Sequence, residues 1–552
     1  MPLIIAGERS GVGKTTVTLA LLSYLCQRGQ TVQSFKVGPD YIDPMFHRYV
    51  TGRACRNLDP VLTSEAYVQQ CFATHAQTAD AAVVEGVMGL FDGAAAEIGR
   101  QKAEGRGQKP EVGRRELKTG ENQFVGGFGS TAHVARLLQI PILLVVDCSR
   151  MSQSIAALVT GYRSFDPELE IAGLVLNRVG SDRHLELLQS ALEPLTIPIL
   201  GVMRRQDSIT LRDRHLGLIP TSEVQNLDAV IDQLAQLAQT WFDWEQLMPL
   251  VRSQETKARS QESEDQGVRG DREDGEGFQN SKFPLVRLTE NQIQNSPTLN
   301  LQFQTPPLPH LPHPLHLPHP LTHSATPYPL SPIPYPLSRI SPPLRLAIAQ
   351  DAAFSFYYQD NLDLLAELGA ELLPWSPLHD STLPENVQGL YFGGGFPEMF
   401  AEPLAANSAA LAAVRAAIQQ RIPTYAECGG LMYLCQKIVD FQEQAWGMVG
   451  ILPTTAVMGK RLTLGYRHVE AMRDGVMFDK GAIAWGHEFH RSHLTVKSNT
   501  PVFNVKPKTT LPPVTEGWHL SNLHASYIHL HWGANSKLPI RFLMRCQKMA
   551  KG

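Results

Sequence analysis

Cys428 stands in PTYAECGGLMYL, residues 423–434, between an apolar run and two glycines that open a stretch of helical spacing. A thiol in that setting has two readings. On a tight strand-to-helix turn it is a nucleophile, because a helix N-terminus lowers its pKa and the thiolate attacks. Otherwise it is a buried thiol beside a turn, since free cysteine is among the most buried residue types. A second stretch, AGERSGVGKTT at residues 6–16, points to phosphate chemistry. Glycines such as Gly11 and Gly13 let backbone N–H groups approach phosphate oxygens, and Lys14 reaches the β- and γ-phosphates. Thr15 can hold Mg²⁺, and Thr16 belongs to the same nucleotide-binding run.

Further polar groups fall at the ends of apolar runs. In DAAVVEGVMGLFDG, four apolar residues place Glu85 at the carboxyl end of a strand, where a carboxylate binds Mg²⁺ directly or through water. A strand-end charge facing solvent is the plainer alternative. FKVGPDYIDP adds Lys36, Asp40 and Asp43 at another strand end, a cation and carboxylates able to order phosphates, metal and an acidic substrate. Asn177, closing GLVLNRVGSDRH, offers an amide that can read a purine edge, although asparagine is common at strand ends. Ser130 and Thr131 can cap a helix.

Parallel α/β architecture has to position these groups. LIIAG, VQSFK, AAVVEG, PILLVVD and IAGLVLNRV alternate with amphipathic stretches over residues 1–245. Residues 95–128 are polar and glycine-rich and read as a surface insertion. Residues 246–343 form a linker, first charged and then Pro/His-rich, with His310, His313, His316 and His319 in a run that nothing pre-organises as a metal site. A second α/β unit follows over residues 344–552, with short strand-like runs in its last third. Seven cysteines without framework spacing, a net charge of -4 and no long apolar segment describe a soluble cytoplasmic protein with no footprint for nucleic acid or membrane.

Eight motifs together resemble the cobyrinic acid a,c-diamide synthases: KVGPDYIDP, VVEGVMGLFDG, AIAQDAAFSFYYQDNLDLL, GGGFPEMFAEPLAAN, AECGGLMYL, LTLGYR, GHEFHRS and HASYIHLHW. The phosphate loop, with Gly7 one residue further from Gly13 than usual and Glu8 in a customary glycine place, is similar to that of dethiobiotin synthetase-like ATPases. The resemblance implies a P-loop amidoligase domain with a parallel sheet, joined to a class I glutamine amidotransferase-like α/β domain. It implies amidation of a corrinoid's a and c acetate groups, with ATP and glutamine as co-substrates and Mg²⁺ on Thr15, Asp43 and Glu85. Asn177 would read adenine. Cys428 would be the glutaminase nucleophile, with oxyanion donors from Gly394, Gly395 and Gly429 and His529 as base; as His529 follows Tyr-x, it matches the family's histidine. The glutamate many class I enzymes place two residues beyond is here His531, so the third member of the site is open.

Alternatives stay open at this point. His487, His490 and His493 with Glu488 resemble a zinc set but lack its spacing, and packing explains them as well. The aromatics of DAAFSFYYQDN are core residues, corrinoid contacts or a domain-docking face. Hydrogenobyrinic acid or nickel sirohydrochlorin fits the same chemistry. So does, from another class, a partitioning-type assembly ATPase with a silent second unit. A homodimer is left open.

Overall fold

The computed structural model describes residues 2–94, 127–205, 213–214, 217–218, 220–251, 343–506 and 514–550. Most of the insertion expected at 95–128, and nearly all of the linker with its histidine run, lie outside the described residues. Residues 1–260 and 336–552 form one compact unit.

In the first half, β1 (Leu3–Gly7), α1 (Lys14–Gln27), β2 (Val32–Val37), α2 (Ile42–Thr51), β3 (Arg56–Leu58), α3 (Glu65–Ala76) and β4 (Ala81–Glu85) are followed by α4 (Thr131–Leu138), β5 (Ile142–Asp147), α5 (Ser154–Phe165), β6 (Ile171–Val179), α6 (Asp182–Leu192) and β7 (Ile199–Arg204). The strands form a parallel sheet in the order β3-β2-β4-β1-β5-β6-β7. Period-two alternation divides each strand between two cores: Leu3, Ile5 and Val83 pack on one face, Ile4, Ala6 and Val84 on the other. That two-sided burial is why the strands read as unbroken apolar runs. Ser130 caps α4 by accepting from the His133 N–H, and Thr131 Oγ1 bonds the backbone of Val87. Helices α7 (Leu227–Trp241) and α8 (Trp244–Val251) carry this half past residue 245, because Leu247 and Val251 belong to its core.

The second half opens with β8 (Leu344–Ala349), α9 (Gln359–Glu367), β9 (Ala370–Trp375), β10 (Gly389–Phe392), α10 (Ser408–Gln419), β11 (Thr424–Glu427) and the one-and-a-half-turn α11 (Gly429–Leu434). Strands β9-β8-β10-β11 are parallel, and β11 continues to Leu523–Ser526. The last third departs from the short strands expected. Leu452–Ala471 is a single strand paired antiparallel with Ile483–Leu494, both largely half-buried, so neither shows a clean alternation in its sequence.

Polar and aromatic contacts join the halves, among them the following. Arg56 Nη1 donates to Asp363 Oδ2 (2.5 Å) and Asp360 Oδ1 (3.3 Å), the Tyr466 hydroxyl donates to Asp59 Oδ2 (2.9 Å), and Tyr67 stands edge-on to His531. No described helix is long and apolar enough to cross a membrane.

Candidate active sites

The carboxyl ends of β1, β2 and β4 meet at the first site, where ligands of open parallel sheets bind. Gly11 and Gly13 take left-handed φ values of 76° and 96°, which a residue with a side chain adopts only with strain. A Cβ on Gly13 would also stand 2.4 Å from Asn177 Nδ2. Asn177 lies beneath the loop: its Nδ2 donates to the Val12 carbonyl (2.7 Å) and its Oδ1 accepts from the Arg178 N–H. In this arrangement the amide braces the phosphate loop. Lys14 folds back to donate to the Met88 and Arg9 carbonyls (2.5 and 3.2 Å). Burial, then the charge of Lys36, lowers its pKa to about 8, with Glu85 and Asp43 opposing. A phosphate group on the loop would restore its full charge.

Lys36 is the hub of the cluster. Its ammonium lies 2.5 Å from Asp43 Oδ2, 2.8 Å from Glu85 Oε1 and 3.9 Å from Asp40 Oδ2. Thr15 Oγ1 donates to Glu85 Oε1 (2.7 Å) and faces Asp43 Oδ2 at 3.4 Å. Glu85 is fully buried, so it is no solvent-facing strand end. Burial opposes its ionisation, yet Lys36 and His47 outweigh that and hold it well below the usual carboxylate range. His47, which sequence reasoning missed, sits one hydrogen bond (2.8 Å) behind Glu85. Asp43 is pushed up to about 8 by burial and by Asp40, with Lys36 only partly offsetting. Three carboxylates around one lysine and one histidine are short of positive charge, and a hard divalent cation with oxygen ligands fits that donor set.

The second site is built on the turn between β11 and α11. Cys428 has φ 45° and ψ -98°, a backbone conformation costing about 1–3 kcal/mol that persists only when its surroundings impose it. Its N–H donates to the Ser526 carbonyl (2.7 Å), and Gly430 N–H donates to Gly393 O (3.0 Å), locking the turn against the glycine loop. Contrary to the expectation of a lowered pKa, the Cys428 thiol is pushed up, by burial first and then by Glu398 and Glu427; only the Gly429 N–H works the other way. A helix as short as α11 does not offset that burial. The thiolate therefore needs a base at the moment of attack.

His529 lies against Gly394 of the glycine loop that packs on this turn. A Cβ on Gly394 would stand 2.5 Å from His529 Cε1, and a Cβ on Gly429 would stand 3.1 Å from Gly395 N. The missing side chains of Gly394 and Gly429 thus make the cleft. As donors the glycines differ from expectation: Gly394 N–H is committed to the Phe356 carbonyl (3.3 Å) and Gly393 N–H to the Tyr357 hydroxyl (2.9 Å). The Gly429 N–H faces the Cys428 sulfur.

Glu427 is the acid that stands beside His529. Its Oε2 lies 3.7 Å from His529 Nδ1, both residues are 1% exposed, and its Oε1 accepts from Leu530 N–H (3.0 Å) and from the Tyr425 hydroxyl. His531 turns to Asp360 instead, 3.7 Å away. Strand alternation puts neighbours such as Glu427 and Cys428 on opposite faces, so no spacing in the sequence signals this partner. His487 stacks on His529 (4.9 Å) and His490 on Tyr527 (3.9 Å), and neither joins a metal-ligating cluster among the described residues. Glu427→Gln is expected to lower the glutaminase kcat about tenfold to a hundredfold through loss of imidazole orientation, with ammonium-driven synthesis unchanged. Parallel assays of glutamate release and amide formation check it.

A phosphate loop over a carboxylate cluster, docked to a Cys-His site on a strained turn, defines an amide-forming ligase that uses ATP and carries its own glutamine amidotransferase. The model of the CobQ/CobB/MinD/ParA nucleotide binding domain matches residues 3–218, and that of the CobB/CobQ-like glutamine amidotransferase domain matches residues 345–537. A cobyrinate a,c-diamide synthase from a Synechococcus strain is 48% identical over 99% of both chains, and one from a Synechocystis strain is 43% identical over 100% of this chain and 94% of its own. A hydrogenobyrinate a,c-diamide synthase from Streptomyces coelicolor is 39% identical over 99% of this chain and 97% of its own. The chain belongs to the cobyrinate a,c-diamide synthase family.

Proposed function

We propose that the protein amidates the a and c acetate carboxylates of cobyrinic acid, with glutamine as nitrogen donor and ATP as activator, in cobalamin biosynthesis. What carries this reading is the docking of both sites in one compact unit, with the Asp40–Asp43 loop reaching the amidotransferase half. A carboxylate resists ammonia because oxide cannot leave. Attack of a substrate carboxylate oxygen on the γ-phosphorus, with departure of ADP, gives an acyl phosphate whose phosphate can leave. Lys14 and the loop N–H groups hold the phosphates in line for that transfer. Thr15, Asp43 and Glu85 would hold Mg²⁺, which when bound neutralises the charge on the transferring group.

At the other site, His529 takes the Cys428 thiol proton as sulfur attacks the glutamine amide carbon, and Gly395 and Gly429 N–H groups receive the oxyanion. The proton passes to the leaving ammonia, and water then releases glutamate from the thioester. Ammonia attacks the acyl phosphate, phosphate departs, and an amide remains. Incubation with cobyrinic acid, ATP, Mg²⁺ and glutamine should convert two carboxyls to amides, read from product mass. The same assay with hydrogenobyrinic acid tests the metal-free macrocycle. ATP hydrolysis with no change of mass on either would overturn the assignment.

A further inference from the structure

A thiol, an imidazole and a carboxylate that none of the steps above uses converge where α3 meets α9. Cys71 and His75 stand four residues apart on α3, so one turn of that helix puts both on the same face. Asp360 lies in the first turn of α9, in the other half. The Cys71 sulfur, a ring nitrogen of His75 and a carboxylate oxygen of Asp360 all lie within 4.8 Å of one another. The Cys71 thiol faces Asp360 Oδ1 at 3.8 Å and both residues are buried, whereas His75 is half-buried and reaches solvent.

Asp360 is itself held in place. Arg56 Nη1 donates to its Oδ1 (3.3 Å) while keeping a shorter bond to Asp363, the Tyr67 hydroxyl bonds it, and His531 Nε2 lies 3.7 Å from Oδ2. Hydrogen-bond partners of this kind orient a carboxylate that ligates a metal. Charge points the same way. With the sulfur as thiolate, Cys71, Asp360 and Asp363 set three negative charges against the one positive charge of Arg56, a surplus of two that a divalent cation neutralises. Softness then selects the ion. Mg²⁺ takes oxygen ligands, whereas one sulfur, one imidazole nitrogen and one carboxylate oxygen suit Zn²⁺.

We propose that Cys71, His75 and Asp360 form a Zn²⁺ site that ties the nucleotide-binding half to the amidotransferase half. On binding, the metal takes the place of the thiol proton, which leaves to solvent, and a water completes the tetrahedron. Ligands about 2.0–2.3 Å from a tetrahedral ion stand about 3.5 Å apart, so the three atoms draw in by up to about an ångström. The site shares no residue with the His487–His493 stretch or with the Cys428 turn.

The test adds Co²⁺, which replaces zinc and colours its bond to a thiolate, to reduced, metal-free, full-length protein. The wild type should bind one equivalent with the near-ultraviolet band of a cobalt–sulfur bond, and Zn²⁺ should abolish that band and raise the thermal midpoint. Cys428→Ala should keep the band, which separates this site from the Cys428 turn; the histidine run of the linker contributes no sulfur. Cys71→Ser should lose the band and at least about a hundredfold in Zn²⁺ affinity, and His75→Ala at least about tenfold, with neither midpoint rising as in the wild type. Circular dichroism reports folding, and the half-buried His75 decides the matter should Cys71→Ser fail to fold. A band that survives in Cys71→Ser, a band that vanishes in Cys428→Ala, or Zn²⁺ affinity unchanged in His75→Ala would overturn the proposal. A wild type that binds no Co²⁺ through sulfur would overturn it as well.

Discussion

Cys428→Ala is expected to abolish glutamine-driven amide formation, a loss of about a thousandfold or more, and to leave ammonium-driven synthesis intact. The asymmetry follows from placement. The thiol sits on the glycine turn of the second half, whereas Lys14, Lys36 and Glu85 belong to the first, so its removal takes nothing from phosphoryl transfer. The expected loss is large because no other group in the cleft can form the thioester: Cys435, the nearest cysteine in sequence, is buried with its thiol donating to the Leu431 carbonyl. Product mass with each nitrogen source checks the prediction, ammonium being supplied above neutral pH so that free ammonia is present. Loss with both sources would show that the turn at Cys428 also supports the synthase site.

Lys14→Met gives the mirror image. Amide formation should fall about a thousandfold with either nitrogen source while glutamine hydrolysis continues, because a phosphate-binding charge is lost from the transition state and the second half is untouched. Stability moves the opposite way. Lys14 has a folded-state pKa of about 8, below the value of a free lysine, so the unliganded protein binds fewer protons than its unfolded chain between those two pH values and gains stability as pH rises through them. Below pH 8 the folded protein carries the full cost of a buried, underpaired ammonium. Lys14→Met should thus raise the thermal midpoint of the ligand-free protein near pH 7, the gain shrinking above pH 8. A lowered midpoint at pH 7 would mean that the bonds to Met88 and Arg9 outweigh the buried charge.

How much of this was legible in the sequence depends on whether a partner is local. The phosphate loop, Glu85 and the Lys36–Asp43 set were readable because each is a short motif at a strand end, and parallel sheets gather strand ends. The turn at Cys428 was readable for the same reason, since β11, the turn and α11 are contiguous. Glu427 beside His529, His47 behind Glu85 and Cys71 facing Asp360 were not, because their partners arrive from distant strands or from the other half. Two expectations failed on environment. The thiol was expected to be acidic from the helix that follows it, but burial among carboxylates dominates; Gly394 was expected to donate to an oxyanion, but its N–H is taken by Phe356. Burial and pairing of this kind are properties of the closed fold and leave no spacing to read.

The backbone at Cys428 also has a meaning for descent. With a positive φ, that position would be held most comfortably by glycine, which carries no Cβ to strain the turn. Selection for a sturdier fold alone would therefore drift this codon toward glycine and silence the site in the same step, a local case of stability traded against activity. A sulfur atom maintained there against the backbone's preference is what continued use of glutamine would leave behind.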